Sequence, residues 1–89
     1  MARVVVAVRV FPSGVEVDHN GLLERIKASL PQDYSLVGSS EIPIAFGYKA
    51  LRILVTMPEE TEGGTDELEN TLRGVEGVDE VEVEFVHRI

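Results

Sequence analysis

Hydrophobic periodicity changes repeatedly along this chain of 89 residues, from the two-residue repeat of strands to the longer repeat of helices. Apolar residues alternate, as in half-buried strands, in four segments: 3–11, 34–42, 49–57 and 78–87. Helical spacing occurs twice, after Asp18 and after Thr65. The predicted element order is therefore βαββαβ.

This order predicts an α+β fold, the ferredoxin-like sandwich, in which a four-stranded antiparallel sheet carries both helices on one face. In that topology the first strand lies between the third and the last. The second strand is the weakest, because Gly38, Ser39 and Ser40 interrupt it, and an edge position suits it. We expect residues 1–89 to form a single domain.

Both predicted helices have recognisable starts. Asp18 is the expected N-cap of the first helix and Thr65 that of the second. Carboxylates fill the first turn of the second helix, where the helix dipole stabilises negative charge. The apolar residues that should face the sheet are Leu22, Leu23, Ile26 and Leu30 in the first helix and Leu68, Leu72 and Val75 in the second.

The sheet face without helices is expected to carry opposite charges on adjacent strands. In the last strand the inward residues should be Val81, Val83 and Phe85, and the outward ones Glu80, Glu82 and Glu84. The arginines expected on the same face are Arg3, Arg9 and Arg52. Such a face is most simply solvated, although its apolar members leave a patch that can meet a partner or a second copy: Val5, Ala7 and Leu54.

The charge balance limits the partners of this chain. Sixteen acidic and eight basic residues give a net charge of −8. Phosphate binding depends on clustered Lys and Arg, so we expect no direct contact with nucleic acid or an anionic membrane. The absence of cysteine excludes disulfides and thiolate chemistry. No apolar run approaches the roughly 20 residues of a membrane span, and no signal segment precedes the first strand, so a cytoplasmic protein is expected.

No arrangement of residues predicts covalent catalysis. His19 and His87 fall in different elements, and we expect a solvated first-turn residue and a strand-end residue. No glycine-rich phosphate-binding motif is present. The acidic run 58–67 lacks the spacing of an EF-hand, so a solvated loop is a simpler interpretation than a weak cation site. We therefore expect no enzyme, no cofactor and no resident metal.

The segment from Ile42 to Leu51 is unusual because it places apolar residues in the turn between two strands. Turns normally carry polar residues and glycine, since their backbone faces water. Here the turn brings Ile44, Phe46 and Tyr48 together around Gly47. An apolar tip of this kind either packs back onto its own domain or docks into a pocket of a partner. The residues alone leave both possibilities open.

The same segment resembles that of a known family. Pro43 to Leu51 reads P-I-A-F-G-Y-K-A-L, and Gly63 to Glu67 reads G-G-T-D-E at the start of the second helix. With the valine-rich first strand and the closing E-G-V-x-x-V-E-V, these motifs resemble the archaeal elongation factor 1-beta family over the whole chain. The start at the first strand fits the minimal archaeal form, without the N-terminal extensions of eukaryotic relatives.

This resemblance implies a guanine-nucleotide exchange factor, which accelerates GDP release from elongation factor 1-alpha without covalent chemistry. The GTPase partner would be met in its GDP-bound or nucleotide-free state. The resemblance also implies that Phe46 enters an apolar pocket of the GTPase and that Gly47 allows a close approach there. Lys49 either reaches the same surface or remains solvated.

A second contact is implied at the C-terminus, where eukaryotic members direct a penultimate lysine towards the Mg²⁺ site. The matching position here is Arg88, followed by Ile89. Since a planar guanidinium is broader than an ammonium group, metal displacement is expected to be less direct, through the carboxylate or phosphate partners of the metal. A frayed and solvated terminus is the alternative.

A different class of function shares the predicted topology. Small-molecule-sensing domains of the ACT type pair sheet edges and bind ligands near the first strand-to-helix loop, here residues 12–15. In that interpretation the protein is a non-enzymatic regulatory dimer. We expect the exchange factor to be a monomer when free, so the oligomeric state discriminates between the two.

Overall fold

Strands and helices follow one another in the predicted order. A computed structural model describes residues 2–59 and 64–89. The elements are β1 (Arg3–Pro12), α1 (His19–Ser29), β2 (Ser35–Ala45), β3 (Tyr48–Pro58), α2 (Asp66–Arg73) and β4 (Val78–Arg88). Neither of these helices is long and apolar enough to cross a membrane.

The strands form a four-stranded sheet in the order β2-β3-β1-β4, and every neighbouring pair is antiparallel. β1 therefore lies between β3 and β4, and the weak strand β2 lies at an edge, as predicted. The ferredoxin-like α+β fold is confirmed. Because neighbouring strands run in opposite directions, the β2–β3 turn and the end of β4 lie at opposite ends of the sheet.

The core lies between one face of the sheet and the two helices. Cross-strand pairing aligns Val6 with Val55, and both side chains are fully buried on this face. The helices contribute four fully buried residues to the same cluster: Leu22, Ile26, Leu68 and Leu72. Burial of one such side chain contributes about 1.5–3 kcal/mol. This packing, more than intrinsic propensity, stabilises a helix as short as the eight residues of α2.

The helix starts confirm one predicted cap and correct the other. The Asp18 carboxylate accepts hydrogen bonds from the backbone N–H groups of Asn20 at 3.3 Å and Gly21 at 3.2 Å. Thr65 precedes α2, but its side chain makes no capping hydrogen bond. Its backbone is already helical, with φ −87° and ψ −3°, whereas a capping side chain requires an extended backbone. The prediction of a Thr65 side-chain cap is therefore wrong.

A β-bulge in β4 changes which side chains point inward. Ala7 pairs with Phe85 and Val8 pairs with Val83, so Glu84 is an extra residue without a partner in β1. One extra residue shifts the strand alternation and moves the following side chains to the opposite face. Val83 packs against the core as expected, but Phe85 lies on the helix-free face and is 46% exposed. The prediction that Phe85 points inward is wrong for this reason.

Charges on the helix-free face pair partly as predicted. Glu82 and Glu84 lie within salt-bridge distance of arginines in β1 and β3. Glu80 instead pairs with Arg73 of α2, at 2.9 Å. Arg3 has no carboxylate of β4 to bind because it lies at the opposite end of the sheet from Glu80, and its guanidinium donates to other oxygens there.

Candidate functional site

The β2–β3 turn consists of two residues, Phe46 and Gly47, because Ala45 pairs with Tyr48 across the hairpin. Both turn residues have positive φ, +48° at Phe46 and +83° at Gly47. Positive φ at both central positions is typical of the type I′ turn, which favours Asn-Gly. A bulky side chain in this left-handed region costs roughly 1–2 kcal/mol. The phenylalanine at the apex of the hairpin therefore adopts a strained backbone conformation.

The Phe46 side chain projects away from the domain and is fully exposed, at 104% of its reference area. Ile44, two residues earlier in β2, is 46% exposed. Tyr48 behaves differently, since its hydroxyl donates a 2.6 Å hydrogen bond to the carbonyl oxygen of Pro12. Burial, with a smaller contribution from the Asp79 carboxylate, raises the pKa of this phenol. Tyr48 thus ties the base of the hairpin to the end of β1, while the apex stays free.

Glycine at position 47 is required by the backbone conformation of the turn and not by close packing within the domain. A Cβ added at this position would meet no atom within 4 Å. The requirement for glycine therefore comes from its positive φ. The empty space beside it also leaves the peptide backbone open to close approach by another molecule.

Lys49 belongs to a polar cluster at the base of the same hairpin. Glu41 Oε1 lies 3.7 Å from Lys49 Nζ, and Glu41 Oε2 lies 2.6 Å from His19 Nδ1. The hydrogen bond to His19, followed by the charge of Lys49, lowers the pKa of the Glu41 carboxyl. The cluster joins β2, β3 and the start of α1. It borders an open cavity of about 350 Å³ between the β1–α1 loop and the hairpin.

Sequence reasoning missed the Glu41 cluster. His19 was expected to be solvated, but its side chain is only 19% exposed and bonds to Glu41. The proximity of Glu41 to Lys49 follows from the hairpin register, which hydrophobic periodicity alone does not determine. No local sequence pattern indicates that the start of α1 contacts the edge strand β2. His87 lies near the end of β4 as predicted, with its ring edge-on to Phe85 at 5.4 Å between centroids.

The C-terminus is held by the sheet. Arg88 is the last residue of β4 and pairs with Val4, and the backbone N–H of Ile89 donates to the Arg3 carbonyl at 3.0 Å. The Arg88 side chain is 75% exposed and forms a salt bridge with Glu59. Ile89 is 72% exposed. The alternative of a frayed backbone at this end is therefore wrong, although both side chains face outward.

Phe46 and Arg88 lie at opposite ends of the sheet. Val4 pairs with both Arg88 and Met57, so Arg88 lies level with the far end of β3. The path along β3 from Phe46 to Met57 is roughly 35 Å at about 3.3 Å per residue. The longest dimension of the molecule is 42 Å. The candidate residues therefore form two separate surfaces, which we call the Phe46 end (Phe46, Gly47 and Lys49) and the Arg88 end (Arg88 and Ile89).

Within residues 2–59 and 64–89, His, Asp and Glu side chains form no group of three or more that could hold a metal ion. Residues 60–63 of the acidic run weighed above as a weak cation site lie outside the described chain.

Comparison with known proteins gives one family for nearly the whole chain. A family model described as the EF-1 guanine nucleotide exchange domain matches residues 5–89. Elongation factor 1-beta of Hyperthermus butylicus is 53% identical over 89 residues, covering 100% of this chain and 97% of that protein. Elongation factor 1-beta of Staphylothermus marinus is 54% identical, with 100% and 99% covered.

A solved structure supports the fold alone. The C-terminal domain of the MgtC protein from Mycobacterium tuberculosis matches with a TM-score of 0.52. The match covers 100% of this chain and 88% of the solved one, at 19% sequence identity.

Proposed function

This chain belongs to the EF-1 guanine nucleotide exchange domain family, and we propose that it promotes exchange of GDP for GTP on elongation factor 1-alpha through the Phe46 end and the Arg88 end. The reaction involves no covalent step. The protein acts by binding one state of the GTPase better than another, so the mechanism lies in the contacts that it makes.

Thermodynamic linkage sets what those contacts must do. A GTPase holds GDP through its phosphate loop and a Mg²⁺ ion that bridges phosphate oxygens and protein ligands. A partner that prefers the nucleotide-free form lowers the affinity of the GTPase for GDP. By linkage, GDP lowers the affinity of the GTPase for the partner by the same factor. At least one contact must therefore be incompatible with the loaded nucleotide site.

The observation that carries the proposal is the exposed Phe46 in a strained turn. Phe46 makes no use of its apolar ring within its own domain, being 104% exposed, and its φ of +48° is unfavourable. Strain at an exposed position points towards a function when the domain itself gains nothing from it. A phenylalanine ring fits an apolar pocket of a partner, where such anchors contribute strongly to binding.

The rest of the Phe46 end supports this contact. Gly47 has open space where a side chain would be, so the partner surface can approach the backbone closely. Lys49 is held only loosely by Glu41, at 3.7 Å, so its ammonium group is able to turn towards the partner surface beside the apolar pocket. The Tyr48 hydrogen bond to Pro12 keeps the base of the hairpin in position, which lowers the entropy lost when the apex docks.

The Arg88 end supplies the second contact. Because it lies roughly 35 Å from Phe46 along the strands, the two ends reach different regions of the GTPase. Phe46 anchors the complex, and Arg88, with Ile89 beside it, acts at the metal and phosphate region. A guanidinium pairs with carboxylate or phosphate oxygens in a planar, two-pronged geometry and does not mimic a small metal ion. Arg88 therefore competes for the ligands of Mg²⁺ and does not take its place.

Release of a fluorescent GDP analogue from elongation factor 1-alpha, with excess unlabelled GDP, tests this function. We expect the wild-type protein to accelerate release, and Phe46→Ala to raise the half-maximal concentration by about 30-fold or more. Arg88→Ala should lower the maximal rate. Val37→Ala is the matched control, since Val37 is 57% exposed, lies far from Phe46 along the sheet, and belongs to β2, the edge strand opposite the one that carries Arg88.

The outcomes separate the possibilities. Loss of acceleration in Phe46→Ala with an unchanged Val37→Ala supports docking through the turn. Equal effects of both substitutions would contradict it. No acceleration by the wild-type protein with a competent GTPase would overturn the exchange function and return the ligand-sensing domain as the alternative.

A further inference from the structure

Arg88 and Glu59 are attached to the start of β1 from opposite sides. Arg88 pairs with Val4 in the β1–β4 ladder. The backbone N–H of Glu59 donates a 3.1 Å hydrogen bond to the carbonyl of Ala2, next to the β1–β3 ladder. The Arg88 guanidinium donates to the Glu59 carboxylate, so the side-chain contact spans β1 and joins the strands on its two sides.

The two partners of this contact differ in exposure. The Glu59 side chain is 26% exposed, while the Arg88 side chain is 75% exposed. Both backbones are held beside β1, so the difference lies in the side chains: the Glu59 carboxylate is mostly covered, whereas the longer Arg88 side chain extends into solvent. The guanidinium is thus the more exposed and more mobile member of the pair, and the one that can leave.

Within the parts of the chain that the structure describes, Glu59 is the one carboxylate that bonds to Arg88. A guanidinium retains its positive charge at all relevant pH values, and a competing anion must displace the carboxylate that already holds it. The Arg88 side chain is largely solvated, so the net stability of the ion pair is small and exchange with another anion is feasible.

We propose that Glu59 is an intramolecular latch for Arg88, which holds the guanidinium in the free protein and yields it to an anionic group of the partner on docking. This inference rests on the proposed role of Arg88 in nucleotide exchange. The latch keeps Arg88 from pairing with unrelated anions. It also makes docking an exchange of one carboxylate for another anion, with a small net change in free energy.

The latch predicts that Glu59 restrains the exchange reaction. Glu59→Gln keeps the size of the side chain and removes the charge that holds Arg88. We expect this substitution to lower the half-maximal concentration for GDP release by about two- to fivefold, the range of an exposed ion pair. In the Arg88→Ala background, the same substitution should have no effect, because the group that it releases is absent.

A charge-matched control excludes a general electrostatic effect. Glu24→Gln changes the net charge by the same amount, and the exposed Glu24 on α1 makes no salt bridge within residues 2–59 and 64–89. It should leave GDP release unchanged. Equal acceleration by Glu24→Gln and Glu59→Gln, or the same Glu59→Gln effect with and without Arg88, would overturn the latch. Slower release in Glu59→Gln would overturn it as well.

A measurement without the GTPase separates the latch from the exchange function. In protein with isotope-labelled arginine, NMR of the Arg88 Nε–H group should show slower side-chain motion in the wild type than in Glu59→Gln. Equal motion in both proteins would overturn the latch whatever the exchange assay gives. Restricted motion together with unchanged GDP release in Arg88→Ala would instead overturn the docking role of Arg88, and with it the function of the latch.

Discussion

The Glu84 carboxylate accepts hydrogen bonds from Arg52 Nε at 2.6 Å and from an Arg9 terminal nitrogen at 2.7 Å, and so joins β4 to both β1 and β3. Glu84 is the bulged residue of β4, and its side chain is 14% exposed. The hydrogen bond from Arg52, opposed by burial and assisted by Arg9, lowers the pKa of this carboxyl to about 2. The bulge therefore places one charged group where two arginines of neighbouring strands converge.

This arrangement predicts a specific acid sensitivity. The folded-state pKa of Glu84 is depressed from its ordinary 4.5 to about 2, so its contribution to stability is fully present above pH 4.5 and is lost as the pH falls towards 2. At neutral pH we expect Glu84→Gln to reduce the free energy of unfolding by about 1–3 kcal/mol. Urea denaturation of both proteins between pH 7 and pH 2 should show this difference shrinking below pH 4.5.

Glu82→Gln is the control for that series, since Glu82 is 62% exposed and lies 3.7 Å from Arg9. Its effect on unfolding should be much smaller at every pH. A Glu84→Gln difference that persists unchanged at pH 2 would show that shape, and not charge, is what the bulge requires.

Phe46→Asn should separate stability from function. Asparagine tolerates positive φ and is favoured before glycine in a type I′ turn, so the free protein should become more stable by about 1 kcal/mol. The same change removes the proposed anchor and should abolish accelerated GDP release. Thermal unfolding and the release assay on one preparation measure both effects. A destabilised Phe46→Asn would mean that the ring packs on its own domain, and retained exchange would mean that it does not dock.

The predictable part of the structure is the part determined by local periodicity. Element order, the edge position of β2, the Asp18 cap and the buried helix stripes all depend on neighbouring residues in the sequence. The bulge at Glu84 escaped prediction because the alternation of valines and glutamates continues smoothly into Phe85. At the bulge Glu84 contacts two arginines of neighbouring strands, and the local pattern carries no information on such contacts.

The sequence singles out the turn of the candidate site but does not determine its geometry. Phe46 stood out as an apolar residue in a turn, but whether an aromatic ring packs inward depends on the space left by other elements. In the structure the two aromatic residues behave differently: the Tyr48 hydroxyl is hydrogen-bonded to Pro12, and the Phe46 ring is exposed. The contact of Arg88 with Glu59 needed the strand order, because it joins residues on the two sides of β1.

Gly47→Ala should destabilise the free protein by about 1–2 kcal/mol through backbone strain alone. The new methyl group would meet no atom within 4 Å, so the φ of +83° is the sole source of the cost. Gly74→Ala is the matched control, because Gly74 has an ordinary φ of −80° and the nearest atom to an added Cβ is 3.5 Å away. That substitution should be neutral or stabilise by up to about 1 kcal/mol. Equal losses in chemical denaturation would contradict the strained-turn account.

The separation of the two ends predicts that their contributions are additive. Phe46 and Arg88 lie roughly 35 Å apart along the strands, so each should contact the GTPase independently. Binding of the nucleotide-free GTPase by Phe46→Ala, Arg88→Ala and the double variant should give free-energy losses that add to within about 0.3–0.5 kcal/mol. Calorimetry on the three variants and the wild type measures the four binding free energies of this double-mutant cycle. A coupling energy above about 1 kcal/mol would mean that docking at one end repositions the other, and that the two ends act on a single bistable element of the partner.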